Sequence, residues 1–175
     1  MTDVMRAMND RRYPPVHLWN PDFCGDMDIR IARDGTWYYL GSPIGRKELV
    51  RLFASVLKRE GADHFLVTPV EKVRIKVDVA PLHAVEMSVE GEGDGQTINM
   101  RTLTDDYVTV GADHAIRVEE NPETGEPTPF VHVRDGLEAL IGRNVFYELV
   151  HMAEERDGVL GVMSAGVFFP LGRGE

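Results

Sequence analysis

Two arginines stand at matching places in a repeated stretch of the chain and suggest anion binding. Arg46 and Arg143 each follow an Ile-Gly pair and each precede a segment with helical hydrophobic spacing. A cation in the first turn of a helix lies at the positive end of the macrodipole and costs about 0.3–1 kcal/mol. Each arginine should therefore have a negative partner, which could be a carboxylate such as Asp28 or Asp113. The alternative is a small anionic ligand held by the arginine and the Gly45 backbone.

Four further side chains are candidates for ligand binding. Thr68, Glu71 and Lys72 follow or flank Pro69 at the end of a predicted strand, where polar residues beside a rigid proline can line a cleft. An ordinary turn, with Thr68 bonding the backbone and both charges solvated, explains them equally well. Trp37 could stack on a ligand, although core or interface packing is the commoner role of tryptophan.

No established catalytic, metal or cofactor motif appears in the chain. The two Gly-Ala-Asp-His tetrads place Asp63 beside His64 and Asp113 beside His114, and adjacent strand residues point to opposite faces. We therefore predict no metal and no cofactor. The lone cysteine, Cys24, is interpreted as a small buried hydrophobe.

Composition excludes several classes of partner. The net charge of −10 and the pI near 5.0 argue against nucleic acid. The single cysteine rules out an intrachain disulfide and favours a reducing compartment, and no apolar run is long enough to span a membrane. The sequence thus predicts a cytoplasmic protein that does not bind membranes.

The repeat supplies the elements that position the candidate residues. Ile44 to Gly61 and Ile141 to Gly158 align without a gap, ninety-seven residues apart, with six of eighteen positions identical. Each copy predicts an amphipathic helix that ends at its glycine, Gly61 or Gly158, in a left-handed conformation. The predicted apolar stripes are Leu49, Leu52, Phe53, Val56 and Leu57 in the first copy and Phe146, Leu149, Val150 and Ala153 in the second.

A hairpin precedes each predicted helix and a strand follows it. The first hairpin turns at Asp34-Gly35, and the second has a longer loop between Val118 and Phe130. About eight to ten strands accompany the two helices. The predicted fold is α+β, with two structurally similar halves that arose by internal duplication, each a mainly antiparallel curved sheet with one main helix. The predicted boundaries are an N-terminal arm at 1–15, a first half at 16–80 and a second half at 81–175.

A string of short motifs, in this order along nearly the whole chain, resembles the bacterial domain-of-unknown-function family DUF1285. The motifs are Asp34-Gly35-Thr36-Trp37, Ser42-Pro43-Ile44-Gly45-Arg46, Leu52-Phe53-Ala54 and Val67-Thr68-Pro69-Val70-Glu71-Lys72-Val73. The resemblance implies an α+β fold of two related halves and a part in ligand binding or signalling. It implies no catalytic residues.

Three hypotheses for function follow. The first is a cytoplasmic ligand-binding or regulatory module, in signal transduction, that binds a small and perhaps anionic molecule near the helix starts or between the halves. The second is an enzyme with a site between the halves and Glu71, His83 or Asp28 as acid or base. The third is an interaction scaffold that forms a homo-oligomer through its exposed helix and strand surfaces.

Overall fold

The computed structural model describes residues 13–173, and its first half forms a six-stranded sheet around one helix. A short 3-10 turn, Val16–Leu18, precedes the sheet. The elements are β1 Phe23–Ile31, β2 Trp37–Tyr39, β3 Ser42–Pro43, α1 Lys47–Ser55, β4 Leu57–Glu60, β5 Asp63–Val67 and β6 Lys72–Val77. The strand order is β3-β2-β1-β6-β5-β4, with β1 and β6 parallel and the other neighbours antiparallel.

The second half repeats this plan and adds three strands before it. The elements are β7 Leu82–Glu90, β8 Thr97–Thr102, β9 Tyr107–Thr109, β10 Ile116–Glu120, β11 Pro127–Arg134, β12 Leu137–Ile141, α2 Arg143–Met152, β13 Glu154–Arg156, β14 Val159–Ser164 and β15 Val167–Arg173. One sheet has the order β10-β11-β12-β7-β8-β9, in which β7 and β12 are parallel, and β13-β14-β15 form a separate antiparallel sheet.

The order of elements confirms the predicted α+β fold of two similar halves. The segment from α1 to β6 matches the segment from α2 to β15 element by element, at the spacing of the sequence repeat. The strands β1 to β3 likewise take the place of β10 to β12 before the helix. The strands β7 to β9 have no counterpart in the first half, and β7 pairs with β12 where the edge of β3 is open.

The predicted helices are longer than the real ones, and their glycines have another role. Helix α1 ends at Ser55, and Leu57–Glu60 forms a strand that pairs with β5. Gly61 (φ 61°) lies in the β4–β5 hairpin turn, and Asp157 (φ 53°) with Gly158 (φ 79°) forms the β13–β14 turn. Two-residue hairpin loops favour positive φ, so these glycines terminate a strand instead of a helix. The described chain also has fifteen strands, more than predicted.

The buried faces of the helices differ partly from the predicted stripes. Leu52 is 61% exposed and Val150 is 44% exposed, although both were expected to face the core. In α2 the core positions are Val145 and Leu149, with Phe146 half-buried. Since the helix stops after Met152 and is covered by β7 on one side, its buried face is rotated toward Val145.

Cys24 is exposed, and the prediction of a buried thiol was wrong. It lies near the start of β1, and its Sγ donates to the carbonyl of Asp22 at 3.3 Å. The strand positions that reach the core come later, at Ile29 and Ile31.

One continuous core joins the halves. Ile29, Ile31 and Trp37 of the first half belong to the same buried cluster as Leu82 and Met100 of the second. Neither half by itself encloses these side chains, which agrees with the limited burial available to a chain of half this length.

A buried ion pair of the second half also makes a hydrogen bond to the first half. The Arg134 guanidinium donates to the Asp106 carboxylate at 2.6 Å and to the carbonyl of Ala54, at the end of α1, at 2.7 Å. Asp106 is only 2% exposed and also accepts hydrogen bonds from Thr102 and Tyr13. Arg134 therefore donates hydrogen bonds to the end of α1 in the first half and to a buried carboxylate in the second half.

Candidate functional site

The first candidate site is a cleft of about 600 Å³ between the two halves, here called the inter-half cleft. The β1–β2 turn supplies Arg33 and Asp34 from the first half. The second half supplies His83, Glu126, Arg143 and Tyr147, together with the apolar side chains of Val85, Pro127, Pro129, Leu140, Ile141 and Phe146. The cleft thus combines an apolar body with a few polar groups, as ligand sites do.

The start of α2 opens into this cleft without a cap. Gly142 is the N-cap residue, no side chain in the described part of the chain caps the helix, and the first turn holds no acidic residue. The N–H of Gly142 is used, because it donates to the carbonyl of Ala84 at 3.0 Å and so fixes the helix start against β7. The N–H groups of Arg143, Asn144 and Val145 precede the first helical hydrogen bond, which Phe146 donates to Gly142, and an anion placed there would accept from them.

His83 lines the same cleft, and the described residues leave one of its buried ring nitrogens unsatisfied. It is 7% exposed, and its Nε2 has no hydrogen-bond partner among residues 13–173. Burial lowers the pKa of His83, whereas the backbone of Arg33 and the charge of Asp34 act in the opposite direction. The ring is therefore neutral at pH 7. The ring makes a hydrogen bond with the Arg33 backbone, and because Nε2 has no partner among the described residues we assign that bond to Nδ1–H, which leaves Nε2 as an acceptor.

The charges around the cleft are mixed, with two arginines and two carboxylates. Hydrogen bonds from Thr36, including its N–H at 2.9 Å, lower the pKa of Asp34 and keep it ionised. Within the described residues, Arg33 and Arg143 form no ion pair, so both guanidinium groups remain available. A bound anion would meet Arg143 at the helix start, while a donor group could reach a carboxylate.

The second candidate site is a cavity of about 380 Å³ in the first half, here called the α1 cavity. It lies between α1 and strands β1, β5 and β6, and its apolar lining includes Met27, Ile29, Leu49, Phe53, Leu66 and Val73. Thr68 and Glu71 are the polar residues of the β5–β6 turn that line it. Its lining is far less polar than that of the inter-half cleft.

The structure divides the six predicted site residues among different places. Arg143 lines the inter-half cleft, and Thr68 and Glu71 line the α1 cavity. Thr68 also closes its own turn, because its Oγ1 accepts the N–H groups of Val70 and Glu71 at 3.3 and 3.0 Å. Thr68 therefore closes its own turn and also lines the cavity, while a role in ligand binding stays a prediction.

The other three predicted residues line neither space. Arg46 is exposed beside α1, and Trp37 is 3% exposed with its ring stacked on Phe53 at 6.3 Å. Lys72 pairs with Glu60 at 3.0 Å and lies 4.9 Å from the centre of the Phe65 ring. Trp37 and Lys72 thus have structural contacts that account for them.

The ion pairs suggested for the two helix-start arginines are not formed in the described part of the chain. Asp28 uses its backbone carbonyl to accept from Leu40, and Asp113 uses its carbonyl to bind His132. Neither carboxylate contacts Arg46 or Arg143 among residues 13–173.

Sequence reasoning did not place Arg33 and Asp34 in a site. The sequence predicted only a turn at Asp34-Gly35. In the structure this turn also packs against the ring of His83. A Cβ on Gly35 would lie 3.2 Å from the His83 ring, and its φ of 93° favours glycine as well. The local sequence around a turn glycine does not indicate that it packs against a histidine distant in sequence.

Two further surveys concern residues 13–173 only. No group of three or more His, Cys, Asp and Glu side chains comes together there in a way that could hold a metal ion. Neither α1 nor α2 is long and apolar enough to cross a membrane.

Comparison with known proteins identifies relatives of this fold. A crystal structure of a DUF1285 family protein from Silicibacter pomeroyi DSS-3 is 52% identical, with a TM-score of 0.89 over 97% of this chain and 93% of that one. A DUF1285 family protein from Shewanella baltica OS155 is 27% identical, with a TM-score of 0.56 over 70% of this chain and 90% of that one. No curated protein matches the chain.

Two family models cover most of the sequence. Residues 14–80 match the N-terminal domain of the DUF1285 domain of unknown function, and residues 81–171 match the C-terminal domain of the DUF1285 proteins of unknown function. The chain therefore belongs to the DUF1285 family.

Proposed function

We propose that the protein is a bacterial cytoplasmic module that binds a small organic anion in the inter-half cleft and acts in signal transduction. The observation that carries the proposal is the start of α2, which has no side-chain cap among residues 13–173 and opens into the cleft that Arg143 and His83 line, the buried Nε2 of His83 having no partner among the same residues. A buried polar group without a hydrogen-bond partner costs free energy, and a ligand that bonds the N–H groups of α2 and the Nε2 of His83 would offset that cost. The placement between halves also provides a route for a response, because a ligand there would contact both.

The ligand's chemistry follows from the two polar ends of the cleft. A carboxylate or phosphate fits the first turn of α2, where backbone N–H groups and Arg143 would both donate to it. A hydroxyl or amine on the same molecule fits His83, whose Nε2 is an acceptor. We therefore propose an organic acid or phosphate ester that carries a hydrogen-bond donor, with a size suited to about 600 Å³.

Binding is better supported than catalysis. Of the three acid–base candidates only His83 lines the inter-half cleft, since Glu71 lines the α1 cavity and Asp28 lines neither space. General acid–base chemistry needs its groups within hydrogen-bond reach of one substrate.

The duplication provides a matched pair of arginines with which to test the proposal. In a calorimetric screen of hydroxy acids and sugar phosphates, Arg143→Ala is expected to weaken the best ligand by about tenfold or more, since a charge-assisted hydrogen bond is lost. Arg46→Ala removes the equivalent charge beside α1 and should leave the affinity unchanged. Equal losses in both variants, or no binding by any member of the screen, would refute the proposed site.

Malate and succinate, which differ by one hydroxyl group, test the role of His83. The wild-type protein should prefer malate because the hydroxyl can donate to Nε2. His83→Phe keeps a ring of similar size and should bring the two affinities together. A preference for malate that persists in His83→Phe would remove His83 from the site while leaving the anion site intact.

A further inference from the structure

We propose that the α1 cavity is a second binding site, which takes a small apolar molecule that carries one amine. It is separate from the inter-half cleft, with which it shares no lining residue. The result of a test at one site therefore does not affect the proposal for the other.

The two halves are covered by different elements beside this cavity. In the second half, Ser164 occupies the position of Val67, accepts the N–H of Ile98 at 2.8 Å and donates to the carbonyl of Val110 at 2.7 Å. Ala165, at the position of Thr68, donates its N–H to the carbonyl of Gln96 at 3.1 Å. Strands β8 and β9 and the segments beside them thus cover this place in the second half.

In the first half no described strand takes the place of β8 and β9, and Val67 is instead buried against Val16 of the short 3-10 turn. The α1 cavity lies on the side of this segment that Leu66 and Thr68 line, next to Ile44 and the edge strand β3, which has no partner on its outer side among the described residues. A cavity of about 380 Å³ with a mainly apolar lining would bind an apolar ligand favourably, because the ligand would remove apolar surface from water.

The edge of β3 argues against a polypeptide strand as this occupant. The N–H of Ile44 points inward and donates to the carbonyl of Trp37 at 2.8 Å, so the alternating outward positions are Pro43 and Gly45. Proline has no N–H to donate to an added strand, and proline at an edge is a common device that prevents strand addition. A small molecule needs no such edge.

The polar groups of the cavity indicate an amine. Glu71 is the only charged residue in the lining, and within the described residues its carboxylate has no ion-pair partner. The Thr68 Oγ1 already accepts two backbone N–H groups, so its hydroxyl proton is free for a neutral amine or a ligand oxygen. An organic acid would place its charge against Glu71, whereas an ammonium group would pair with it.

The size and lining suit a compact ligand body. About 380 Å³ lies near the lower end of the range of about 300–1,000 Å³ that is typical of small-molecule sites. Leu49, Phe53 and Val73 offer both aliphatic and aromatic contacts, so an octyl chain or a bicyclic aromatic ring would fill it.

Octylamine, octanol and octanoate form a matched series for the test. Titration of methyl-labelled protein at pH 7 should shift the methyl resonances of Leu49, Leu66 and Val73, with octylamine binding more tightly than octanol and octanoate weakest. Glu71→Gln should weaken octylamine by about threefold to fivefold, the size expected of an exposed ion pair, and leave octanol unchanged. Glu123→Gln, in the exposed β10–β11 loop, is the control and should change none of the three.

Each other outcome overturns the proposal in a definite way. Equal affinity for the three probes, or the same octylamine affinity in Glu71→Gln, would refute the preference for an amine. Absence of shifts at the cavity methyls with all three would refute the site. Shifts of those methyls that grow with protein concentration alone would assign the cavity to a second copy of the chain.

Discussion

Replacing Arg134 with methionine should destabilise the protein by about 3–5 kcal/mol, the cost of leaving one member of a buried ion pair without its partner. Methionine keeps much of the aliphatic bulk but cannot donate to Asp106 or to the carbonyl of Ala54. Asp106 would then keep its hydrogen bonds from Thr102 and Thr104 but lose the only cation that contacts it in the described chain. Urea unfolding followed by circular dichroism measures the loss.

The pH dependence of this loss separates electrostatics from packing. Burial raises the pKa of Asp106, but Arg134 and the hydrogen bonds from Thr102, Tyr13 and Thr104 outweigh it, so the folded pKa lies below the usual value. A carboxyl group of this kind stabilises the fold above its unfolded pKa of about 4 and loses that contribution as the pH falls through its folded pKa. The difference between wild type and Arg134→Met should therefore be large at pH 7 and shrink as Asp106 becomes protonated.

An exposed arginine provides the matched control. Arg30 makes a bidentate contact with Asp78, at 2.9 and 2.7 Å, but on the surface. Arg30→Met should cost far less than Arg134→Met, because solvent and salt screen an exposed pair. A loss in Arg134→Met that stays constant as the pH falls from 7 until Asp106 is protonated in the folded wild type would show that Arg134 acts through packing alone.

The ends of the helices are a feature of the fold that the sequence pattern did not predict. The apolar spacing from Leu49 to Leu57 is helical, and it continues past the true end at Ser55. The residues 57–60 instead pair with 63–66 through a tight glycine turn, since strand pairing satisfies their backbone within an existing sheet. Periodicity describes one element at a time and does not reveal that a neighbouring strand competes for the same residues.

For the candidate site, the sequence repeat likewise did not predict that the two arginines have different surroundings. Arg46 and Arg143 each follow the same Ile-Gly pair at matching positions of the repeat, which predicted the same environment for both. The difference arises from β7, which pairs with β12 and places His83 and Ala84 beside the start of α2. No described strand does this for α1. The candidate type of residue was therefore predictable, whereas the choice between the two copies depends on a parallel pairing between residues more than fifty positions apart.

Gly161→Ala should be among the most damaging single substitutions in the second half. A Cβ at this position would lie 2.5 Å from the Phe169 carbonyl oxygen and 2.5 Å from the Phe168 ring, closer than such atoms approach in folded proteins. The Phe168 ring is half-buried and could swing aside, but the carbonyl belongs to the paired strand β15 and has little room to move. We expect a loss of about 3 kcal/mol, at the upper end of the usual cost of overpacking.

Gly172→Ala is the matched control for Gly161→Ala because both glycines lie in the β14–β15 ladder. Gly172 lies opposite Leu160, has no heavy atom within 4 Å of a built Cβ and does not have a positive φ. Its replacement should be neutral or slightly stabilising, since alanine restricts the unfolded chain more than glycine does. Thermal unfolding of the two variants compares them directly. Similar melting temperatures would contradict the close approach of β15 to Gly161.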